Sequence, residues 1–167
     1  MNGRILVAAL FLLVGCSKPA EEAAPSREEW LAGVNAWRTK HETDYRRDWA
    51  TIAGLHFLEP GSHSAGSASS NEIVLPLPAP PVLGRFVLEG DAVRFEPESG
   101  STVSLNGKPM TATATLVDDG APKAHELVIG DIRIVVHRSG ERKSLRVWDP
   151  DGELARGFLG FTWFPIQ

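Results

Sequence analysis

The sequence predicts an all-β domain, an antiparallel β-sandwich preceded by one amphipathic α-helix and a signal peptide. From Trp49 onward the apolar residues recur with a period of two, and turn-forming residues interrupt them about every ten residues. Asn106-Gly107 favours a two-residue hairpin, because both residues accept positive φ angles. Strands are predicted at residues 72–75, 85–88, 92–95, 102–105, 127–129, 132–137 and 144–148.

The first residues predict a bacterial lipoprotein signal. Arg4 precedes an apolar run of ten residues, 5–14, whereas a helix that spans a bilayer needs roughly 20. The run ends in Leu13-Val14-Gly15-Cys16, which resembles the lipobox cut by the lipoprotein signal peptidase. We therefore expect residues 1–15 to be removed and Cys16 to be lipidated. The alternative is an ordinary signal peptide with an unrelated cysteine.

A lipidated Cys16 predicts a protein held on a membrane of the bacterial envelope, because two or more acyl chains anchor stably. Cys16 is the only cysteine in the chain, so no disulfide is expected. Ser17 follows it, and by resemblance to lipoprotein sorting in Gram-negative bacteria this residue favours the outer membrane, facing the periplasm. Residues 16–25 are expected to form a lipidated tether, of which the nine residues 17–25 can reach roughly 30 Å.

The N-terminal helix is predicted over residues 26–48. Ser26 and Glu29 have the spacing of a capping box, in which each side chain accepts a backbone N–H of the other residue. One face of this helix is expected to pack on the core, because its residues recur at helical spacing. These residues are Trp30, Val34, Trp37 and His41.

Residues 49–167 are predicted to form the β-sandwich domain. The hydrophobic content of 43% is that of a folded globular protein. The formal net charge of −4, with both signs mixed along the chain, gives no electrostatic footprint for nucleic acid, so none is expected as a partner.

Five stretches of the chain resemble the bacterial family called domain of unknown function 1684. They are residues 49–61 (WATIAGLHFLEPG), 66–75 (GSASSNEIVL), 84–95, 138–149 (RSGERKSLRVWD) and 158–165 (FLGFTWFP). The resemblance implies a fold but no activity. Members of that family usually continue into a second β-rich half, so the domain is expected to be truncated at its C-terminus. The alternative is a short variant of the family.

A weaker resemblance is to forkhead-associated domains, the β-sandwiches that bind phosphothreonine. Residues 61–75 look like their glycine-rich loop and strand, and Asn106-Gly107 matches their Asn-Gly turn. Where that family places Gly-Arg this chain has Gly66-Ser67, and where it places Ser-x-x-His this chain has Pro80-Pro81-Val82-Leu83. The resemblance therefore implies the fold without phosphothreonine binding, which needs an arginine fork.

The familiar catalytic and metal motifs are not found in the sequence. His125-Glu126 lacks the second histidine of a zinc-protease motif, and Asp149-x-Asp151-Gly152 lacks the further ligands of a calcium loop and is predicted to be a turn. Residues 62–71, which include His63, are predicted to form a polar loop, and Asp118-Asp119 a solvated one. We predict no metal, no cofactor and no catalytic residues.

The segment 132–148 predicts a hairpin with a core-facing and an outward-facing side. A two-residue turn at Ser139-Gly140 would place Ile134 opposite Leu145 on the core-facing side. The same register would place Arg133 opposite Arg146 on the outer side.

The outer side of this hairpin is the candidate anion site, formed by Arg133, His137, Arg142 and Arg146. His137 would lie opposite Arg142, and like charges placed opposite each other destabilise a sheet unless something neutralises them. The neutralising group could be an anionic ligand such as a carboxylate, a phosphate or a lipid headgroup. The alternative is neutralisation by carboxylates of the same protein.

Two functions remain open on the sequence alone. The first is a lipid-anchored envelope domain that acts by binding or scaffolding, without catalysis of its own. Its partners would be the membrane, through the lipid, and an anionic ligand or a second protein domain. The alternative is an envelope hydrolase or carbohydrate-active enzyme whose active site is completed by a missing C-terminal half.

Overall fold

Two β-sheets pack face to face in the structure, a computed structural model that describes residues 24–166. The expected signal peptide, Cys16 and most of the tether lie outside these residues. The helical segments are α1 Arg27–Tyr45, a π-helical turn Arg46–Ala50 and α2 Glu153–Gly157. The strands are β1 Ile52–Phe57, β2 Gly61–Gly66, β3 Ile73–Val74, β4 Gly84–Glu89, β5 Ala92–Pro97, β6 Ser104–Leu105, β7 Lys108–Pro109, β8 Ala114–Leu116, β9 Glu126–Ile129, β10 Ile132–Ser139 and β11 Arg142–Trp148.

The prediction of an all-β sandwich with one long helix is confirmed. One sheet has six strands in the order β1-β11-β10-β9-β6-β7, and the other has five in the order β3-β2-β4-β5-β8. Neighbouring strands are antiparallel, except that β2 and β3 are parallel. No helix within residues 24–166 is long and apolar enough to cross a membrane.

The core lies between the sheets because alternate residues of each strand point inward. Phe86 and Phe95, from the five-stranded sheet, are fully buried with ring centroids 4.7 Å apart. Ile134 and Leu145, from the six-stranded sheet, are buried in the same cluster. Each such side chain contributes about 1.5–3 kcal/mol through removal from water, so the sandwich is held together without a disulfide.

Two turns predicted from the sequence differ in outcome. The Asn106-Gly107 hairpin is confirmed, with φ angles of 51° and 76° and with Leu105 opposite Lys108. The β10–β11 turn lies one residue later than predicted, at Gly140-Glu141, because Gly140 takes the positive φ of 63° that this turn requires.

This later turn changes the register of the arginine-bearing hairpin. Ile134 lies opposite Val147 rather than Leu145, and Arg146 lies opposite Val135 rather than Arg133. The predicted pairing of His137 with Arg142 is also wrong, since His137 lies opposite Ser144. Every partner moves by two residues, so each side chain keeps its predicted face.

Strand β2 contradicts the prediction of a polar loop over residues 62–71. Gly61–Gly66 pairs with both β3 and β4 inside the five-stranded sheet. Its residues are mostly small and polar, so the alternation of apolar residues that predicts a strand is missing from the sequence. Gly66 is required here, because a Cβ at this position would lie 2.3 Å from the backbone oxygen of Pro81.

Helix α1 begins as predicted, with the capping box of Ser26 and Glu29 present. Its expected packing on the sandwich core is wrong, because no residue of α1 is buried. The helix packs instead on the irregular segment after α2. Ring contacts join Trp37, His41 and Tyr45 of the helix to Phe158, Phe161 and Trp163 of that segment.

Glu42 fixes this helix–segment contact by hydrogen bonding. One of its carboxylate oxygens accepts from the backbone N–H of Phe161 at 3.1 Å and from the indole N–H of Trp163 at 2.6 Å. Arg38 donates to the backbone oxygen of Phe164 at 2.7 Å. Helix α1 therefore covers part of the aromatic residues of this segment.

A cluster of four charges joins the two sheets at the end of the sandwich where the β4–β5 and β10–β11 turns lie. Lys143 is only 3% exposed, and its ammonium pairs with Asp118 and, at 3.0 Å, with Asp91. Arg138 contacts the same two carboxylates, Asp91 at 2.7 Å and Asp118 at 3.0 Å. Asp118-Asp119 lies in a loop, as predicted, but Asp118 is paired within this cluster rather than solvated.

The cations of this cluster keep Asp118 ionised. The hydrogen bond from Lys143 and the one from Arg138 lower the pKa of Asp118 to about 2, against the opposing effect of burial. Because Lys143 would be costly to bury without its partners, the cluster fixes the two turns relative to each other.

We expect the free energy of unfolding to fall as the pH drops from about 4 to about 2. Asp118 binds a proton near its ordinary pKa of 3.8 in the unfolded chain but only at about 2 in the folded protein. The stability from this group is therefore present above about pH 4 and lost on acidification. Urea denaturation monitored by circular dichroism across this interval measures the loss.

Asp118→Asn is the control, because its side chain has similar shape and does not titrate. This variant should be less stable than the unmodified protein at neutral pH, and the difference should shrink as the pH falls. A difference that stays constant from neutral pH to about pH 2 would contradict the assignment.

Candidate functional site

The outer face of the six-stranded sheet brings three of the four predicted site residues together. Arg146 lies 2.9 Å from both ring nitrogens of His137. The guanidinium of Arg133 lies 4.0 Å, and that of Arg146 5.6 Å, from the centroid of the Trp148 ring. Arg142 lies apart from this group, with its guanidinium 3.9 Å from the ring centroid of Phe57 on β1. We call this surface, from Arg142 to Arg133, the arginine face.

Carboxylates of the chain neutralise part of the arginine face. Glu126 lies 3.3 Å from Arg133. Asp119 lies 2.6 Å from His137 and 3.7 Å from Arg146, so an imidazole and a guanidinium share one carboxylate. Within residues 24–166 Arg142 has no ion pair.

Asp119 is held ionised by its neighbours. Its burial acts to raise the pKa, but the backbone N–H of Arg138 and the ring of His137 outweigh this effect, and the pKa of Asp119 lies below its ordinary value. The backbone N–H of Arg138 donates to Asp119 at 2.9 Å. Asp119 therefore remains a negative charge against which His137 and Arg146 are positioned.

An open cleft of about 680 Å³ lies beside Arg133, between the π-helical turn, the outer side of β9 and β10 with the turn that joins them, and the residues after β11. Trp148 forms part of its wall and is fixed there, because its indole N–H donates to the backbone oxygen of Asp48 at 3.0 Å. The cations that line the cleft are Arg46, Arg47 and Arg133, and the acidic residues are Glu126 and Asp131.

The three cleft arginines differ in their freedom to bind a ligand. Arg47 is occupied, since it lies 2.6 Å from Asp48 and 3.3 Å from Asp44. Arg46 has no ion pair among the described residues, and its guanidinium lies 5.1 Å from the ring centroid of Phe158. Arg46 is thus the cleft cation without a carboxylate partner among the described residues, and Arg133, which meets Glu126 through one Nη at 3.3 Å, keeps its remaining N–H donors.

The hydroxyl-rich segment around His63 has its polar groups bonded locally. One ring nitrogen of His63 lies 2.7 Å from the backbone oxygen of Glu59, and the other lies 3.3 Å from Glu72. Ser64 accepts from the backbone N–H of Glu72, and Asn71 donates to Pro81 and Ala68. These contacts position the chain around β2 and β3.

The remaining acidic motif is a turn, as predicted. Asp149 accepts from the backbone N–H of Asp151 at 2.9 Å, which is the geometry of an Asx turn. Within residues 24–166 no group of three His, Cys, Asp or Glu residues is arranged to hold a metal ion. Cys16, the predicted lipidation site, lies outside the described residues.

Sequence reasoning missed Trp148, Asp119, Glu126 and Arg46 as members of the site. A partial signal existed for the loop that carries Asp119: Lys143 alternates with the apolar Leu145 and Val147, and a lysine facing the core requires nearby carboxylates, of which Asp118 is one. Nothing in the sequence placed Arg46 near Arg133, because that contact depends on how α1 meets the sheet.

No protein-family model and no curated protein matches this chain. The resemblance to domain of unknown function 1684 therefore has no support beyond the sequence stretches quoted above. A solved structure of forkhead-associated (FHA) domain interactions that depend on phosphothreonine matches with 14% identity and a TM-score of 0.39, over 57% of this chain and 93% of that chain.

A second solved structure, Mycobacterium tuberculosis EmbR in complex with a low-affinity phosphopeptide, matches with 18% identity and a TM-score of 0.38. It covers 74% of this chain and 32% of that chain. The chain thus has a weak structural resemblance to FHA domains. At TM-scores this low the resemblance supports no statement about ligand or function.

Trp148→Phe should lower the free energy of unfolding by about 1–2 kcal/mol, because the backbone oxygen of Asp48 loses its indole donor while an aromatic ring remains under Arg133. Urea denaturation at neutral pH measures the loss. Trp49→Phe is the matched control: Trp49 is 62% exposed, and we expect little change. Equal losses in the two variants would show that the hydrogen bond does not hold the cleft wall.

Proposed function

We propose that this chain is a lipid-anchored protein of the bacterial envelope whose β-sandwich binds an anionic ligand on the arginine face. The lipid would be attached to Cys16, in the lipobox-like Leu13-Val14-Gly15-Cys16 sequence, and the protein would lie on the outer membrane, facing the periplasm. The domain would act by binding or scaffolding. The resemblance to domain of unknown function 1684 implies no activity, so the proposal depends on the geometry of the arginine face.

The observation that carries this proposal is that the guanidinium of Arg133 lies over the Trp148 ring and that of Arg142 over the Phe57 ring, at 4.0 and 3.9 Å from the ring centroids. Arg146 lies farther from the Trp148 centroid, at 5.6 Å. A guanidinium that lies over an aromatic ring uses its flat face for that contact. Its N–H donors lie in the plane of the group and remain available at the edge, where a carboxylate or phosphate binds in a bidentate manner. Stacking also restricts the side chain, so less entropy is lost on binding.

The size and lining of the cleft suit a small ligand or the acidic group of a larger one. Its volume of about 680 Å³ falls within the range of small-molecule sites. Arg46 and Arg133 supply cationic donors, and Trp148 and Val128 supply apolar surface. The chemistry shared by the candidate ligands is an oxyanion, either carboxylate or phosphate.

Mass spectrometry tests the anchor. The mature protein purified from the membrane fraction should begin at Cys16 and carry the added mass of its acyl chains, because the lipobox-like sequence directs both cleavage and lipidation. Cys16→Ser should abolish the added mass and leave the precursor uncut. A mature chain without acyl mass, in which Cys16 has been removed with the leader, would refute the anchor. The outer-membrane placement is tested separately, by density-gradient separation of the inner and outer membranes.

Replacing Arg133 and Arg146 together with Thr tests the anion site. We expect affinity for the ligand anion to fall at least about tenfold, because two charge-assisted donors are lost, while the strands persist since Thr has high β-propensity. Isothermal titration calorimetry with inorganic phosphate and, separately, with succinate distinguishes phosphate from carboxylate. Binding should also weaken as salt is added.

Arg85→Thr is the matched control, because Arg85 is an exposed strand arginine of the other sheet, with a carboxylate 4.0 Å away. This variant should bind both probes as the unmodified protein does. The anion-site proposal is wrong if the unmodified protein binds neither probe, or if the double variant binds as tightly as the Arg85 variant.

A further inference from the structure

We infer that the surface formed by α1, α2 and the segment after α2 rests on the lipid bilayer to which the protein is anchored. This inference depends on the proposed lipidation of Cys16. The surface is defined by six exposed apolar side chains, and we call it the aromatic face. They are Trp30, Trp37, Trp49, Leu154, Leu159 and Phe164.

The exposed side chains of the aromatic face are large and unusual for a surface in water. Leu159 is 93% exposed and Phe164 is 88% exposed. An apolar patch on a soluble surface marks a contact with another protein or with a membrane. The patch therefore requires an occupant.

Side-chain contacts connect four of the six side chains of the aromatic face, and Leu159 and Phe164 belong to the segment that makes these contacts. Trp49 and Leu154 line one groove together with Phe158. Phe158 contacts Phe161, which in turn contacts Trp163, with ring centroids 5.1 and 5.4 Å apart. The helix completes this chain of contacts, because Trp37 lies 5.5 Å from Trp163, and Trp37 and Trp30 line a second groove.

The residue types of the aromatic face match the interfacial region of a bilayer. Trp and Tyr concentrate there, because their rings are apolar and their N–H or O–H groups reach water. Arg38 and Arg46 lie beside the face, over Trp163 and Phe158, and have no ion pairs among the described residues. Arginines placed next to exposed apolar residues favour anionic phospholipid headgroups over a neutral apolar partner.

The position of the tether favours the bilayer over a protein partner as the occupant. Residues 17–25 hold α1 within roughly 30 Å of the membrane surface once Cys16 is lipidated. Pro25, the last residue of the tether, lines the groove formed by Trp30, Val34 and Trp37. The chain from the lipid therefore joins the domain at the aromatic face itself, and the effective concentration of bilayer at this face is high.

Fluorescence quenching tests this placement in the lipidated protein. The protein is reconstituted into vesicles of phosphatidylethanolamine and phosphatidylglycerol, with or without brominated acyl chains. Three of the five tryptophans belong to the aromatic face, so bromine should quench the emission. Replacing both Leu159 and Phe164 with Gln should reduce the quenching by about half, because apolar surface is lost from the contact.

Val117→Gln is the matched control. Val117 is an exposed apolar residue next to Asp118, at the end of the sandwich where Lys143 lies, and its replacement should leave the quenching unchanged. Quenching as weak in the unmodified protein as in the Leu159 and Phe164 variant would overturn the inference, because the domain would then stand away from the lipid.

A second measurement uses a quencher dissolved in water, with the Cys16→Ser variant as the reference. Acrylamide, which quenches tryptophan from the water, should quench the lipidated protein on vesicles less than it quenches the Cys16→Ser variant in detergent-free buffer. Equal acrylamide quenching overturns the inference. A dimer would overturn it as well. If sedimentation equilibrium shows that Cys16→Ser forms a stable dimer, and replacing Leu159 and Phe164 dissociates that dimer, a second copy of the chain is the occupant.

These outcomes separate failure of the inference from failure of the anchor. Mass spectrometry reports whether Cys16 is acylated independently of how the domain lies. An acylated protein that shows no bromine quenching has the proposed anchor but not the proposed contact. A mature protein without acyl mass and without its leader that is nevertheless quenched on brominated vesicles has the contact but not the anchor.

Discussion

The register of this sandwich depends on one buried ammonium group. Lys143 sits on an inward position of β11, where an apolar residue would be expected, and is satisfied there by Asp91 of the β4–β5 turn and Asp118. A slip of one residue would turn the lysine outward and bury its neighbours' polar groups instead. The ion cluster therefore selects the register that leaves Arg133, His137 and Arg146 on the outer surface.

The arginine face shows how a small error in register changes the chemistry inferred from a sequence. The pattern of residues 132–148 correctly indicated which side chains point outward, because that depends only on alternation. It could not indicate which of them are neighbours, because the turn lies one residue later than its Ser-Gly sequence suggested. Arg133 consequently lies opposite Trp148 and stacks on it, and the expected repulsion between two paired arginines does not arise.

The elements that the sequence predicted well are those whose signal is local. The Ser26 capping box and the Asn106-Gly107 turn each depend on neighbouring residues, and both are present. Strand β2 and the packing of α1 depend on distant partners. The small polar residues of β2 fit because Pro81 approaches Gly66. Part of the aromatic stripe of α1, at Trp37 and His41, contacts a segment over 100 residues later in the chain. Periodicity reports that a face is apolar, but not what covers it.

The two ends of the sandwich differ in a way that links the proposed functions. One end is closed by the charges around Lys143, whereas the other carries the cleft and the aromatic face side by side. Arg46 belongs to both, since it lines the cleft and its guanidinium lies over Phe158. If the aromatic face rests on the bilayer, the cleft opens beside the headgroups, and Arg46 becomes a charge that a lipid phosphate and a bound anion would compete for. Ligand binding and membrane contact would then be thermodynamically coupled through Arg46. Each would lower the affinity of the other by the same factor.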